Sequence, residues 1–346
     1  MAAKPKISMY WASACGGCEI SLVNIHEHLL ELAAHLDFVF CPCLLDTKTK
    51  DVEAMADGEM LITFFNGALR TSENVEMAHL LRRKSQLLIA YGSCAAEGCI
   101  PALANLSSRS ALMQTVYGPG PSIDNPDFVV PAPSTAIPEG APLTLPVFND
   151  RVQTLAQAVD VDYVIPGCPP ESPQVWAVIE HVIQGKALPP KGSVLGASDK
   201  TVCEECRRVK GEKKVARFHR TYEIIPDADQ CLLEQGIVCM GIATRGGCGG
   251  LCPDVNMPCM GCYGPPAGVK DQGARMIGAL GAIIDVAPMT AMGEARVAAH
   301  IAEVLDGIPD LAGTLYKFSL GGSLLQGGYA SRPGHEAAAA AENATS

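Results

Sequence analysis

Short apolar runs alternate with longer periodic stretches over the first hundred residues. Residues 7–11, 37–41, 60–65 and 87–91 read as strands, each nearly continuously apolar. Residues 19–35 and 72–83 carry apolar positions at helical spacing. Strands buried on both faces look like this when helices cross over between them, so the pattern predicts a doubly wound parallel sheet of the α/β class. After an interruption the pattern resumes with a strand at 163–165 and a helix at 173–183.

The interruption, roughly 105–149, holds eight prolines between Pro119 and Pro146. Proline fixes φ and lacks an N–H, so this density excludes regular helix and central strand. A long insertion in a compact domain usually serves a function, and we expect an extended arm over a partner surface. From 200 to 266 the periodicity fades and cysteine and glycine take over, which suggests a region organised by metal rather than by a core. A helical stretch at 269–305 follows, then an alanine-rich end that reads as a disordered tail. The expected domains are therefore 1–199 with its insertion, 200–266, 267–334 and the tail 335–346.

Composition narrows the function. Of 346 residues 48% are hydrophobic and 18% charged, which supports a sizeable core. A net charge of −11 disfavours nucleic acid and anionic membranes as partners. The most apolar late stretch, 276–292, is interrupted by Asp285 and Pro288 and is too short to span a bilayer, so no transmembrane segment is expected. Met1 to Lys6 leads straight into the first strand pattern, with neither a secretory signal nor a twin-arginine pair. Fifteen cysteines, an odd number, fit a secreted disulfide framework poorly. In a reducing compartment clustered cysteines bind metal instead, and a cytoplasmic location is expected.

On the strand map, Cys15 and Cys18 follow the first strand, Cys94 follows 87–91 and Cys168 follows 163–165. Ligands of open parallel sheets gather beyond the carboxyl ends of the strands, so four thiols converge on one edge. Glycines at 16, 17, 92 and 167 allow tight turns and close approach to an inorganic core. Four cysteines without histidine suit a [4Fe–4S] cube. A lone CxxC would also admit a thioredoxin-like redox pair, but two further cysteines at equivalent strand ends disfavour that. Structural zinc favours paired CxxC knuckles over thiols scattered along the chain.

Eight more cysteines lie between 203 and 262. Proximity pairs Cys203 and Cys206 with Cys231 and Cys239, and Cys248 and Cys252 with Cys259 and Cys262. Spacing alone leaves two zinc sites open. The redox cube expected upstream favours two more cubes, because they would extend a wire. Cys41, Cys43 and Cys99 are expected to be core thiols rather than ligands. His26 and His28, two apart on a helix, cannot share a face. No GxxxxGK[ST] and no strand-linked GxGxxG occurs, so neither nucleotide nor flavin is expected. Glu19 reads either as an aid to proton or subunit contacts or as a first-turn helix acid.

The segments Cys15-Gly-Gly-Cys-Glu19, Gly92-Ser-Cys-Ala95 and Gly167-Cys-Pro-Pro170, with the block from Cys231-Leu-Leu-Glu-Gln-Gly-Ile-Val-Cys239 to Cys259-Met-Gly-Cys262, resemble the small subunits of [NiFe] hydrogenases. Among these the chain looks most like the cytoplasmic methyl-viologen-reducing (F420-non-reducing) branch that works with heterodisulfide reductase. The resemblance spans most of residues 6–266. It implies a flavodoxin-like first domain, followed by an irregular iron–sulfur domain with helices. It implies three [4Fe–4S] clusters: proximal on Cys15, Cys18, Cys94 and Cys168, distal on Cys203, Cys206, Cys231 and Cys239, and medial on Cys248, Cys252, Cys259 and Cys262. The periplasmic relatives carry histidine where this chain has Cys203, and commonly proline beside a three-iron cluster where it has Cys252. The resemblance further implies a large subunit bearing the nickel–iron site and all H₂ chemistry. Electrons would leave to an iron–sulfur acceptor subunit, linked to a heterodisulfide-reductase-like complex. The rival expectations are the same relay in a non-hydrogenase redox complex, and a zinc-stabilised interaction protein.

Overall fold

The computed structural model describes residues 3–326. In chain order the first half contains β1 (Lys6–Trp11), α1 (Gly17–Val23), α2 (His28–His35), β2 (Asp37–Phe40), α3 (Thr49–Glu53), β3 (Met60–Asn66), β4 (Leu69–Thr71), α4 (Ser72–Lys84), β5 (Ser85–Tyr91) and α5 (Ser93–Glu97). Then come α6 (Arg109–Tyr117), β6 (Ser134–Thr135), β7 (Leu143–Thr144), β8 (Phe148–Gln153), β9 (Tyr163–Ile165) and α7 (Ser172–Ile183).

Five strands form a parallel sheet in the order β2-β1-β3-β5-β9. Counting only sheet strands this is 2-1-3-4-5, the flavodoxin-like doubly wound order. Alternate residues of each strand face opposite sides, as the two-residue period demands. Ile7, Met9, Phe64 and Ile89 pack with Leu22, Leu32, Val175 and Ile179 of α1, α2 and α7. Tyr10, Phe65, Leu88 and Ala90 pack with Val52, Met77, Leu81 and Ala95 of α3, α4 and α5. The strands and helices expected from the apolar pattern are present, with ends displaced by a residue or two.

One expected helix is two. The stretch 19–35 breaks after Val23, and His26 stands at φ 56. A left-handed residue ends a helix, and histidine is among the side chains that tolerate that conformation. The apolar period runs on through Leu22, Ile25, Leu29 and Leu32, so the sequence pattern does not mark the break.

The insertion also holds more structure than expected. Helix α6 precedes the first proline of the run, and its N-cap Ser108 accepts from the Ala111 N–H at 3.2 Å. The proline-bearing part forms a single bridge between Gly120 and Ile123 and the two-residue ladder of β6 and β7. Its apolar side chains Val129, Leu143, Leu145 and Val147 are exposed. Strand β8 returns the chain to the body by pairing antiparallel with β4.

The second half contains α8 (Val202–Glu205), α9 (Leu251–Asp254), α10 (Gln272–Ile283), α11 (Glu294–Leu305) and α12 (Leu311–Leu315). The expected helical stretch 269–305 is split by a 3₁₀ turn (Ala287–Met292) that contains Pro288 and ends at Gly293, φ 88. The cysteine-rich segment is not without a core. Val202, Val215, Phe218, Leu232, Ile237 and Met240 are buried together with Met276, Leu280 and Val304 of α10 and α11. Their apolar positions follow no regular period because the backbone between them is irregular. No helix among the described residues is long and apolar enough to cross a membrane. The expected tail 335–346 lies outside the described residues.

Candidate iron–sulfur sites

The first thiol group sits at the carboxyl edge of the sheet. Gly16 (φ 86) turns the chain from β1 into α1, and Cys15 and Cys18 flank that turn. Gly92 (φ 82) turns β5 into α5, placing Cys94 in its first turn. Gly167 (φ 134) follows β9 and precedes Cys168, whose bond to Pro169 is cis. The last two loops are knitted together by Gly92 N–H to Ile165 O and Ser93 N–H to Gly167 O, both 2.8 Å. Burial pushes the Cys18 thiol far up, and the neighbouring Cys94, Glu19, Cys168 and Cys15 push it further. Cys15, Cys94 and Cys168 all lie near enough to Cys18 to act on its thiol. Several buried thiolates cannot coexist without a compensating positive centre, so this donor set fits an iron–sulfur core.

The carboxylate of Glu19 is buried and accepts both its hydrogen bonds from Asn66 Nδ2, at 2.8 and 2.9 Å. It is a first-turn acid of α1, anchored to the end of β3.

In the second group Cys203 and Cys206 flank the end of α8, and Cys231 and Cys239 lie either side of a 3₁₀ turn, Leu233–Gln235. All four line one cavity with Arg208, Lys210 and Gly241. The Cys203 thiol is pushed up to about 12 by burial first and then by Cys239, against the pull of Lys210. Lys210 Nζ also donates to Cys203 O at 2.6 Å. Sequence reasoning passed over Arg208. It is buried and donates to the carbonyls of Pro253 (2.9 Å), Asp227 (2.7 Å) and Gln230 (2.9 Å), stapling three loops around the cavity. Only the tertiary structure reveals that role.

In the third group Gly249 (φ 68) and Gly250 (φ 73) turn the chain between Cys248 and Cys252. The Cys262 thiol is raised to about 12 by burial, then by Cys248, with Cys168 and Cys252 adding to it. Cys259 stands further off. Burial raises its thiol, and the sulfurs that act on it are Cys239 and Cys262. Its N–H donates to Cys239 Sγ at 3.2 Å, and Ser93 Oγ at the first group donates to Cys262 O.

Among the described residues no three His, Cys, Asp or Glu side chains stand close enough to share one metal ion. Thiols on a single zinc lie about 2.3 Å from it and so roughly 3.8 Å from each other. A four-iron cube spaces its ligands more widely.

Cys41 and Cys43 have their sulfurs 3.5 Å apart, outside the three groups. Cys99 is buried, as expected of a core thiol, and it stands beside the first thiol group. Its Sγ lies 3.7 Å from that of Cys168, and it packs with Cys94. The neighbouring Cys168, then Cys94 and burial, raise the Cys99 thiol, while Cys99 lowers that of Cys168. His28 stacks on Trp176 at 4.1 Å rather than facing any thiol.

Residues 15–182 match the family model of the NADH ubiquinone oxidoreductase 20 kDa subunit. The chain is 39% identical to the iron–sulfur subunit of the F420-non-reducing hydrogenase of Archaeoglobus profundus, over 92% of this chain and 97% of that one. It is 35% identical to the corresponding subunit of the F420-non-reducing hydrogenase of Methanothermobacter marburgensis, over 94% and 97%. A chain of an NAD⁺-reducing [NiFe]-hydrogenase solved in the H₂-reduced state is 30% identical and aligns with a TM-score of 0.43, over 54% of this chain and 96% of that one. Matches and thiol groups together define an iron–sulfur subunit of an oxidoreductase. The chain belongs to the family of F420-non-reducing hydrogenase iron–sulfur subunits, which are small subunits of [NiFe] hydrogenases. It is an electron-transfer subunit, and the H₂ chemistry lies on the large subunit with which it pairs.

Proposed function

We propose that this chain relays electrons through three [4Fe–4S] clusters, between the nickel–iron site of the large subunit and an iron–sulfur acceptor subunit. Cys15, Cys18, Cys94 and Cys168 hold the proximal cluster in this reading. Cys248, Cys252, Cys259 and Cys262 hold the medial one, and Cys203, Cys206, Cys231 and Cys239 the distal one. Bound there, the cubes supply one-electron carriers. The setting is cytoplasmic, which the use of cysteine favours. The acceptor belongs to a heterodisulfide-reductase-like complex, following the resemblance to the F420-non-reducing branch.

The observation that carries the reading is that the thiol groups stand beside one another in series. Cys168 and Cys262 pack against the same small cluster of Cys94, Cys99 and Phe318, and Cys259 N–H donates to the sulfur of Cys239 at 3.2 Å. In this reading each thiol group stands beside the next, in the order proximal, medial, distal, and a backbone amide joins the last two. The chain's own residues shield and tune this route. Burial of Cys18, Cys94, Cys239 and Cys259 excludes water from the sulfurs. The charge of Lys210 beside Cys203 favours the thiolate form. The Pro-rich arm, with its exposed apolar side chains, lies over the large subunit in the same reading.

Anaerobically purified complex should contain about twelve iron and twelve acid-labile sulfide per small subunit, by colorimetric iron and sulfide assay. About eight of each, or zinc in their place, would sink the three-cube reading.

A further inference from the structure

A fifth thiol stands at the proximal group. Cys99 is 1% exposed and is buried with Cys94 and Phe318, against Ala14, Cys168 and Cys262. Its backbone has φ 49 and ψ −150, a conformation that glycine adopts freely and other residues do not. The preceding Gly98 (φ 84) completes the reversal out of α5. A glycine at 99 would relieve the strain, yet the chain keeps a side chain there. The turn aims that side chain at sulfur: Cys99 Sγ donates to Cys168 Sγ at 3.7 Å and has Cys94 as its second neighbour.

We propose that Cys99 is a positioning residue for the proximal cluster: it stays a thiol, and its S–H donates to the cluster-bound sulfur of Cys168. The inference rests on the reading that Cys168 is a ligand. A thiol is a weak donor, but in an apolar pocket its bond is not diluted by water. A hydrogen bond to a ligating sulfur withdraws electron density from it and stabilises the more negative, reduced cluster. Such bonds are among the levers that set iron–sulfur potentials. Cys99 therefore raises the reduction potential of the cluster nearest the large subunit and favours electron entry into the chain.

The test uses the assembled complex and follows the proximal cluster by electron paramagnetic resonance during redox titration. Cys99→Ala is expected to move its midpoint to a more negative potential, with iron and sulfide per chain unchanged. Cys99→Ser keeps a donor and is expected to restore part of the shift. Should the alanine variant fail to assemble, Cys99→Gly suits the backbone, removes the donor and should give the same negative shift. An unchanged midpoint in the donor-free variant overturns the inference. So does loss of iron or a new cluster signal, which would make Cys99 a ligand. A wild-type complex lacking the proximal cluster's iron overturns the relay reading itself, and is recognised before any variant is compared.

Discussion

Gly92 leaves room for Cys18. A Cβ at position 92 would stand 2.4 Å from the Cys18 sulfur, and the backbone there has φ 82 and ψ 162. That conformation costs a side-chain-bearing residue about 1–3 kcal/mol, before any clash with sulfur. Gly92→Ala should therefore displace Cys18 and empty the proximal site. Iron should fall by about four per chain while the other clusters remain, as measured by iron assay and electron paramagnetic resonance. Full iron content in the variant would show that Cys18 needs no such space. The need for glycine here is legible beforehand, because Gly92 directly follows a strand and nearly abuts Cys94. The position of Cys99 is not legible, because five residues beyond Cys94 matches no ligand spacing. Its contact with Cys168 exists only once two loops 69 residues apart meet.

At the scale of elements, Asp162 joins the sheet to the helix beside it. It precedes β9, its side chain is 7% exposed, and it accepts the Leu88 N–H of β5 at 2.8 Å. Arg82 of α4 and Lys191 each reach it at 2.5 Å. Burial alone would raise this carboxyl, but the hydrogen bonds from Lys191, Arg82 and Leu88 outweigh it and hold it below the ordinary carboxylate range. A depressed folded value stabilises the protein above the unfolded value of about 3.9, and the contribution is lost as pH falls through the folded value. Asp162→Asn should cost about 1.5–3 kcal/mol, mostly from the Arg82 bond because Lys191 is largely exposed. Thermal unfolding of the complex should show a lower midpoint for the variant, with the same gap at every pH from about 5 to 8. A gap that closes between pH 8 and 5 would assign the effect to another group. The strands and helices that Asp162 ties are readable from apolar spacing. The tie itself is not, because Arg82 lies 80 residues away.

Across the whole molecule the proposed route has a direction, because the three thiol groups are linked in series. The group at the sheet edge meets the second where Cys168 and Cys262 pack against one small cluster, and the second meets the third where Cys259 N–H donates to Cys239 Sγ. Cys206 belongs to the last group, where the cavity is lined by Arg208 and Lys210. Cys206→Ser should weaken the distal cluster and sharply slow H₂-dependent viologen reduction. Hydrogen–deuterium exchange on the large subunit exports no net electrons and should persist. Loss of both activities in a complex that assembles and keeps its nickel would contradict the series arrangement, as would no change once the distal cluster is gone.

The amino-acid sequence by itself determined the parallel sheet and the delivery of Cys15, Cys18, Cys94 and Cys168 to one edge of it. Both follow from local rules: nearly unbroken apolar runs make buried strands, and the glycine turns after them leave the chain at their carboxyl ends. Tertiary structure alone decided that the helix expected at 19–35 breaks at His26, where the apolar period runs on unaltered. It also decided that the cysteine-rich segment shares a core with α10 and α11, since Val202, Phe218 and Leu280 meet without any common period. The amide link from Cys259 to Cys239 and the placement of Cys99 belong to the same category. Each joins residues brought together by loop packing, and loop packing depends on contacts across the whole chain rather than on the spacing of neighbours along it.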